Sequence, residues 1–315
     1  MLVCLNRKKR DHMDYYEINS IAQAHQAMGL PSPKHPLVTV VLTKDFNAQF
    51  DFKGVKVINN LYQVTLKQPG CGNLLYGKNS YDYEEGTLVF TAPGQVTVSD
   101  GDMPELEDDP RGWILAFHPD LIRKSPLSAK IDGYSFFNYD VNEALHLSEE
   151  ELDTIEGLLD KIVKEYSQNL DKHSQNLIIS NIELLLDYCT RFYDRQFYTR
   201  TNLNTDIVSK FERLLKAYYQ TDQLHDSGIP SVQYLAKALS FSSNYLSDLL
   251  KKETGKTAQE HIHLFVIEKA KNMLLSSNHS ISEIGYALGF EYPQHFSNLF
   301  KSKTGFSPSE FRNLN

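Results

Sequence analysis

The sequence has few cysteines and no long hydrophobic run. Its 315 residues include three cysteines, at positions 4, 71 and 189, which lie far apart and form no CxxC pair. That spacing excludes a dense disulfide framework and a CxxC-type zinc or redox site. The longest strongly apolar stretch, at 37–42, is far too short for a membrane-spanning helix of about 20 residues. In the N-terminal MLVCLNRKKR the apolar residues precede the basic cluster, the reverse of a secretory signal, so we expect a cytoplasmic protein with no membrane partner.

Histidine is absent from residues 36–117, and His35 and His118 stand alone at either side. A metal-binding β-barrel needs several histidine and carboxylate ligands close together. The sequence therefore predicts no metal ion and no cofactor in this region, and it argues against an enzyme.

Negative charge prevails overall, but it is unevenly distributed. The formal net charge is −8, and residues 1–228 carry 23 Lys and Arg against 33 Asp and Glu. Residues 229–315 carry 9 Lys and Arg against 7 Asp and Glu, with four histidines besides. A phosphate backbone would therefore not repel the C-terminal part as it would repel the acidic remainder.

Two sequence patterns indicate two domains of an α+β protein. Between about 36 and 118, short segments rich in β-branched and aromatic residues alternate with turn signals, which predicts an antiparallel barrel or jelly roll. Residues 1–35 are interpreted as an N-terminal tail and lead-in. From about 148 to 197 the pattern is helical and opens with a capping box, Ser148 and Glu151.

The second helix of this region, near 174–196, has a long apolar face that runs from Leu177 to Cys189. The face fits packing on the barrel and also fits a dimer seam, and the sequence does not separate the two. The polar RTNLNT at 200–205 is interpreted as the linker between a first domain, 36–200, and a second domain, 206–315.

The second domain contains an internal repeat. Four residues recur after 49 positions and five more recur after 50; in the first copy they are Ser231, Ala238, Leu239, Phe241, Ser247, Leu249, Lys251, Thr254 and Gly255. In each copy a Ser N-cap opens a short helix, a turn follows, and a second amphipathic helix ends at a glycine. This is the helix-turn-helix pattern, with units at about 231–252 and 280–302.

A continuous helical segment at 258–277 lies between the two copies. At 1.5 Å per residue it would span about 30 Å, close to the roughly 34 Å between successive major grooves on one face of B-DNA. A rod of this length would set two recognition helices one DNA turn apart.

The second helix of each copy presents a polar face. Such a face is often only solvated, but here the repetition favours DNA reading: amides suit adenine, and lysines one or two turns later reach phosphates. The candidate DNA-binding residues are Ser243, Asn244, Tyr245, Ser247, Asp248, Lys251 and Lys252 in the first copy, and Tyr292, Gln294, His295, Ser297, Asn298 and Lys301 in the second.

The stretch ISEIGYALGFEYPQHFSNLFKSKTGFSPSEFR at 281–312 closely resembles the signature of the AraC/XylS family of bacterial transcription regulators. The residues that carry the resemblance are Gly289, Phe290, Phe296, Phe300, Lys301, Gly305, Pro308, Phe311 and Arg312. The resemblance covers about 206–315 and implies that a helix near 206–220 opens the DNA-binding domain. Family members commonly have Arg in the linking helix where this chain has Val266, a departure that concerns a polar contact and not the fold.

More weakly, DYEEGTLVFTAPGQV at 82–96 is similar to the cupin-like sensor domain of many such regulators. The mouth of a barrel can hold a small ligand, although aromatic residues in a β-domain are more often core. The candidate ligand-binding residues are Tyr62, Tyr76, Tyr81, Tyr83, Trp113 and Phe117.

These features predict a sequence-specific DNA-binding transcription regulator with a cupin-like β-barrel, following helices, and an all-α domain of two helix-turn-helix units. The resemblance implies an activator that binds double-stranded promoter DNA, contacts RNA polymerase, responds to a small-molecule effector and forms a homodimer. Two alternatives remain open: a cupin-type enzyme fused to a DNA-binding module, and a dimerisation scaffold that binds no ligand.

Overall fold

Residues 1–199 and 200–315 form two units. The computed structural model describes within them residues 8–10, 13–46, 56–67, 86–98, 112–140, 143–168, 171–199, 201–221, 224 and 227–313. In this described part the first unit contains nine strands and five α-helices, and the second contains helices alone. The chain therefore has the mixed α+β composition that the sequence predicts. None of the helices in these ranges combines the length and the apolar character needed to cross a membrane.

The strands of the first unit form two sheets. The first consists, in spatial order, of β1 (Lys8–Arg10), β2 (Met13–Ile18), β4 (Lys56–Asn59) and β7 (Gln95–Val98), with β2 and β4 parallel. The second is antiparallel and consists of β3 (Val38–Leu42), β8 (Trp113–Phe117), β5 (Tyr62–Lys67), β6 (Gly86–Thr91) and β9 (Leu145–Leu147). Among the described residues no strand pairing joins the two sheets, so a closed barrel is not confirmed.

The two faces of the second sheet have different neighbours, because successive side chains of a strand point to opposite sides. Ala116 packs with Leu61 and with the short helix α1 (Ile21–Ala27). Phe117 stacks instead on Tyr62, whose ring also meets Phe137 edge-on. Helix α1 and strand β2 both lie within the region interpreted as a lead-in, so these two elements of it contribute to the folded core.

The remaining helices of the first unit are α2 (Pro119–Ile122), α3 (Leu127–Lys130), α4 (Glu149–Ser167) and α5 (Ser174–Thr199). The predicted capping box is present: Glu151 N–H donates to the Ser148 hydroxyl, and Ser148 N–H donates to the Glu151 carboxylate. The same carboxylate accepts two hydrogen bonds from the Arg195 guanidinium of α5, at 2.6 and 3.0 Å. This fork ties α5 to the first turn of α4.

The apolar face of α5 is mostly internal to the first unit. Its residues from Ile178 to Cys189 on that side are buried, and α5 packs along α4. Leu177 and Leu184, seven residues apart, are exceptions and are 49% and 44% exposed. Packing within the unit therefore accounts for most of the face that the sequence left open, and a short exposed apolar stripe remains.

The second unit is built from α6 (Thr201–Tyr218), α7 (Val232–Ala238), α8 (Ser243–Thr254), α9 (Ala258–Ser276), α10 (Ile281–Ala287), α11 (Pro293–Thr304) and α12 (Pro308–Asn313). The predicted linker at 200–205 is helical from Thr201 onwards. Asn and Thr are only a few tenths of a kcal/mol poorer helix formers than the average residue, so polar composition does not prevent a helix that packing stabilises further along.

One continuous hydrophobic core holds the second unit together. It joins side chains of α6, α7 and α8 to those of α10 and α11 through the linking helix α9. The fully buried members include Phe211, Leu246, Leu250, Ile262, Ala270, Ile284, Phe296 and Phe300. Because both helix-turn-helix units share this core, they form one rigid body rather than two tethered ones.

Candidate nucleic-acid interface

The first helix-turn-helix unit consists of α7, a turn and α8. The hydroxyl of Ser231 accepts the Tyr234 N–H at the start of α7, and that of Ser242 accepts the Tyr245 N–H at the start of α8. The turn passes through Ser240, which has a φ of 64°. A positive φ is uncommon for a residue other than glycine, so this turn is backbone-strained.

The second helix-turn-helix unit consists of α10, a turn and α11. Ser280 and Glu283 form a capping box at the start of α10. The turn passes through Gly289, which occupies the position of Ser240 at a φ of 88°. Gly285 lies so close to α11 that a Cβ there would be 3.4 Å from the Phe296 ring, so the close helix approach that the sequence predicts is present. Pro293 occupies the first turn of α11.

The repeat extends further than the sequence analysis found. Helices α8 and α11 both end at a left-handed glycine, Gly255 and Gly305. Two residues later, Thr257 and Ser307 each cap the next helix by accepting an N–H and donating their own N–H to a glutamate, Glu260 or Glu310. The spacing of fifty between these caps was the signal that could have revealed it.

These caps also fix the protonation of the glutamates. Hydrogen bonds from the backbone N–H of Thr257, Ser280 and Ser307 lower the pKa of Glu260, Glu283 and Glu310 respectively. Burial lowers the pKa of both His261 and His263 on α9, so these two imidazoles are neutral at neutral pH. These two histidines therefore add no positive charge to the second unit at neutral pH.

Most predicted DNA-binding residues of α8 lie on one side of the helix. Asn244, Lys251 and Lys252 are exposed, and Ser243, Ser247 and Asp248 are half-buried. At 100° per residue, Asn244, Ser247, Asp248 and Lys251 share one arc, away from the buried leucines 246, 249 and 250.

Tyr245 is the exception. Its side chain is only 3% exposed and its ring stacks on Phe241 with centroids 5.3 Å apart. The structure therefore corrects the expectation that Tyr245 faces DNA: its position on the helix is next to Leu246 and Leu249, on the side that packs. A tyrosine on a helix edge reads as polar in a sequence pattern, but its ring is buried readily.

The predicted residues of α11 are accessible. Tyr292, Gln294, His295, Asn298 and Lys301 are exposed, and Ser297 is half-buried. The Ser297 hydroxyl donates to the Pro293 carbonyl oxygen at 3.1 Å, within the helix. A hydrogen bond with the Glu291 carboxylate raises the pKa of Tyr292, which lies at the helix entrance.

Comparison with known proteins agrees with this geometry. The domain family described as helix-turn-helix matches residues 235–314. The chain is 36% identical over 109 residues to the transcriptional regulatory protein YesN of Bacillus subtilis, a match covering 34% of this chain and 28% of YesN. It is 37% identical over 78 residues to the HTH-type transcriptional activator RhaS of Salmonella arizonae, which covers 25% of this chain and 28% of RhaS.

The C-terminal unit is an AraC-type helix-turn-helix domain. This confirms the resemblance seen in the sequence. The matched region spans less than a third of either curated relative, so the likeness is to the domain and not to the whole proteins. Among solved structures, the C-terminal domain of the two-component response regulator YesN from Fusobacterium nucleatum is 27% identical and covers 34% of this chain and 98% of that one, with a TM-score of 0.30.

One departure from the family pattern and one residue of its signature have structural roles. Val266, where family members commonly carry Arg, is fully buried in the shared core, so an apolar residue suits this position here. Arg312 of α12 donates from Nε to the Leu274 carbonyl oxygen and from Nη2 to the His279 carbonyl oxygen, at 3.3 and 2.7 Å. The guanidinium thereby links the last turn of α9 to the segment that leads into α10.

Three of the six residues predicted to line a ligand pocket in the first unit, Tyr62, Trp113 and Phe117, belong to the described part of the chain. Tyr76, Tyr81 and Tyr83 lie outside the described residues. Phe117 is fully buried and its ring stacks on that of the half-buried Tyr62, which also meets the Phe137 ring edge-on. Their alternation along β5 and β8 places both rings on the same face of the sheet, and their role in ligand binding stays a prediction.

Trp113, by contrast, borders a cavity. The cavity has a volume of about 860 Å³ and lies between edge strand β3 and helix α4. Its lining mixes apolar, hydroxyl and charged side chains, among them Leu42, Leu159, Tyr166, Lys34, Lys44 and Asp160. The indole N–H of Trp113, a residue 3% exposed, meets no hydrogen-bond acceptor within the described ranges. A buried N–H of this kind costs about 1–3 kcal/mol unless an acceptor reaches it.

Proposed function

We propose that this chain is a transcription regulator that binds double-stranded promoter DNA in a sequence-specific manner, with α8 and α11 in consecutive major grooves. The observation that carries the proposal is the shared core around α9. This helix has 19 residues and therefore spans about 28 Å, near the roughly 34 Å repeat of one DNA turn. Two recognition helices on one rigid body would meet the duplex at a fixed spacing.

The exposed side chains of both helices suit this role. Asn244 and Gln294, at equivalent positions near the helix N-termini, have the amide geometry that pairs with adenine. Lys251 and Lys301, about two turns later, are placed to reach phosphates. Ser243, Ser247, Asp248, Lys252, Tyr292, His295, Ser297 and Asn298 complete the proposed contact surface.

The name of RhaS and the AraC-type domain favour activation of transcription, and activation involves contact with RNA polymerase. A cytoplasmic location follows from this role, because the DNA and the polymerase are there in bacteria. No catalytic step is assigned to either unit.

Binding of the full chain to duplex DNA tests the proposal. We expect a promoter fragment selected from its own genome to bind at least a thousandfold more tightly than random duplex. The double substitution of Lys251→Met and Lys301→Met should weaken both kinds of binding and reduce the slope of log affinity against log salt by about two. Lys161→Met, on the exposed side of α4, serves as the matched control and should change neither. Equal affinity for all duplexes would overturn the proposal.

We also propose that the first unit responds to a small molecule, that its sheets complete a cupin-like barrel, and that the chain forms a homodimer. The cavity beside β3 supports the ligand response, because its volume is in the usual range for small-molecule sites and Trp113, whose indole N–H meets no acceptor within the described residues, lines it. Leu177 and Leu184 support the homodimer, because they leave an apolar stripe on α5 exposed.

A thermal-shift screen of small metabolites against the full chain tests the ligand response. A ligand that binds only the folded protein raises its melting temperature in a saturable way. Trp113→Phe keeps an aromatic side chain but removes the indole N–H and part of the indole ring, so it should weaken the shift, whereas Tyr62→Phe should not. A screen in which no compound gives a saturable shift would favour a scaffold without a ligand.

A further inference from the structure

The two recognition helices are structural equivalents that differ in charge. Both have 12 residues, both bury an apolar pair fifty positions apart and both end at a left-handed glycine. In α8, Asp248 and Glu253 balance Lys251 and Lys252, whereas α11 has Lys301 and Lys303 and no acidic residue. The repeat thus allows the two helices to be compared position by position.

At the centre of the polar face, α8 has Asp248 where α11 has Asn298. Asp248 is four residues after Asn244 and three before Lys251, so all three share the exposed arc of α8. Asn298 has the same relation to Gln294 and Lys301 in α11. A carboxylate therefore stands in α8 where the second helix has a neutral amide.

A carboxylate on a DNA-facing surface is repelled by every phosphate, so it lowers affinity for duplex in general. It gains free energy only where a base edge offers a hydrogen-bond donor. In the major groove, cytosine offers its N4 amino group, while adenine places the N7 acceptor beside its N6 donor and so repels one carboxylate oxygen. Guanine and thymine present acceptors there.

We propose that Asp248 selects cytosine in the half-site that α8 reads, and that the two half-sites of this protein differ for that reason. The inference rests on the proposed DNA-binding function. At the equivalent position Asn298 accepts and donates, so the half-site read by α11 carries no such requirement for cytosine. The carboxylate sharpens base selection by α8 and leaves most of the non-specific affinity to α11.

Binding-site selection from a randomised duplex library tests this with the full chain. Wild type should enrich a site with a cytosine that Asp248→Asn no longer requires, with discrimination at that base falling about tenfold and other positions unchanged. Asp248→Asn should bind random duplex more tightly than wild type, because a negative charge is removed. The reciprocal Asn298→Asp should add a cytosine preference about one DNA turn away and weaken binding to random duplex.

The possible failures are distinct. If wild type enriches no sequence at all, the proposed DNA-reading function falls together with this inference. If wild type enriches a site and Asp248→Asn enriches the same site at every position, only the role of Asp248 is overturned. Equal melting temperatures of the variants and wild type show that folding is unaffected, and Asn298→Asp provides an independent arm on the other helix.

Discussion

Gly228 and Gly289 face each other so closely that a Cβ on Gly228 would lie 2.9 Å from the carbonyl oxygen of Gly289. Gly228 lies just before the first helix-turn-helix unit, and its carbonyl oxygen accepts a hydrogen bond from the Tyr218 hydroxyl of α6 at 2.9 Å. Gly289 is the turn of the second unit. The contact therefore ties the entrance of one unit to the turn of the other, in addition to their shared core.

Gly289→Ala should destabilise the chain strongly. The new Cβ would meet Leu224 Cδ1 at 2.7 Å and the backbone of Gly228 and Ile229 at 3.0 Å, at a φ that an L-residue rarely adopts. We expect a loss of about 2–4 kcal/mol in the free energy of unfolding, measured by urea denaturation of the full chain. Gly305→Ala is the matched control, because its φ is similar but its Cβ would meet open space. Its cost should stay near 1 kcal/mol, and equal losses would contradict a specific contact at Gly289.

Ser240→Gly should stabilise the first helix-turn-helix unit. Ser240 has a φ of 64° and occupies the turn position that Gly289 fills in the second helix-turn-helix unit. Relief of the left-handed strain, about 1–2 kcal/mol, exceeds the entropy that glycine adds to the unfolded chain, about 0.5–1 kcal/mol. A gain of about 0.5–1 kcal/mol in urea denaturation is expected, and a loss would show that the serine side chain makes a compensating interaction.

Arg312→Met should lower the stability of the second unit and speed hydrogen exchange at the end of α9. The substitution removes two charge-assisted hydrogen bonds to the carbonyl oxygens of Leu274 and His279, at an expected cost of about 1–3 kcal/mol. Arg312→Lys should recover only part of this, since an ammonium lacks the planar fork. Hydrogen exchange of the amides at the end of α9 is the measurement, with Lys237→Met on the exposed side of α7 as control. Unchanged exchange in Arg312→Met would reject the role.

Substitutions of the neighbours Asn244 and Tyr245 should have different effects, the first on DNA affinity and the second on the stability of the fold. Asn244→Ala changes an exposed residue, so specific DNA affinity should fall about tenfold with little change in melting temperature. Tyr245→Ala empties a buried site against Phe241, so the free energy of unfolding should fall by about 3 kcal/mol. Anisotropy binding and thermal melting of both variants decide this, and a stable Tyr245→Ala that fails to bind DNA would restore Tyr245 to the interface.

The capped glutamates predict a loss of stability in acid. The pKa values of Glu260, Glu283 and Glu310 are lowered from 4.5, so their contribution is present above that pH and is lost as the pH falls through the lower folded-state values. Melting temperatures of the full chain measured between about pH 6 and 3 should fall more steeply for wild type than for the triple Glu→Gln variant. Parallel curves would show that the caps do not couple to protonation.

The second unit could be predicted in detail because its signals are local. Ser N-caps define the starts of α7, α8 and α10, Pro293 that of α11, and glycines the ends of α8 and α11, while apolar spacing defines the packed faces. Tyr245 was misplaced because it lies at the edge between the packed and polar sides of α8, where only packing decides. The fifty-residue equivalence of Thr257 and Ser307 was readable in the sequence and was overlooked.

The first unit was predicted less well because sheet packing is non-local. The alternation along β8 shows that Ala116 and Phe117 point apart, but not which of them faces helix α1. The contact of Trp113 with a cavity depends on α4, more than thirty residues away in sequence, and the pairing of β2 with β4 spans a similar separation. Such long-range pairings leave no trace in a local pattern.

The linking helix α9 sets both a length and an angle. One inserted residue would advance the second recognition helix by 1.5 Å and also swing it by about 100° around the helix axis, out of reach of the duplex. Ile262 and Ala270 are both fully buried in the shared core, so an insertion between them would rotate one of these side chains out of the core. Under the proposed mode of DNA binding, the fold thus fixes the separation of the two half-sites, and new target sites would arise by exchange of side chains on α8 and α11 at constant spacing.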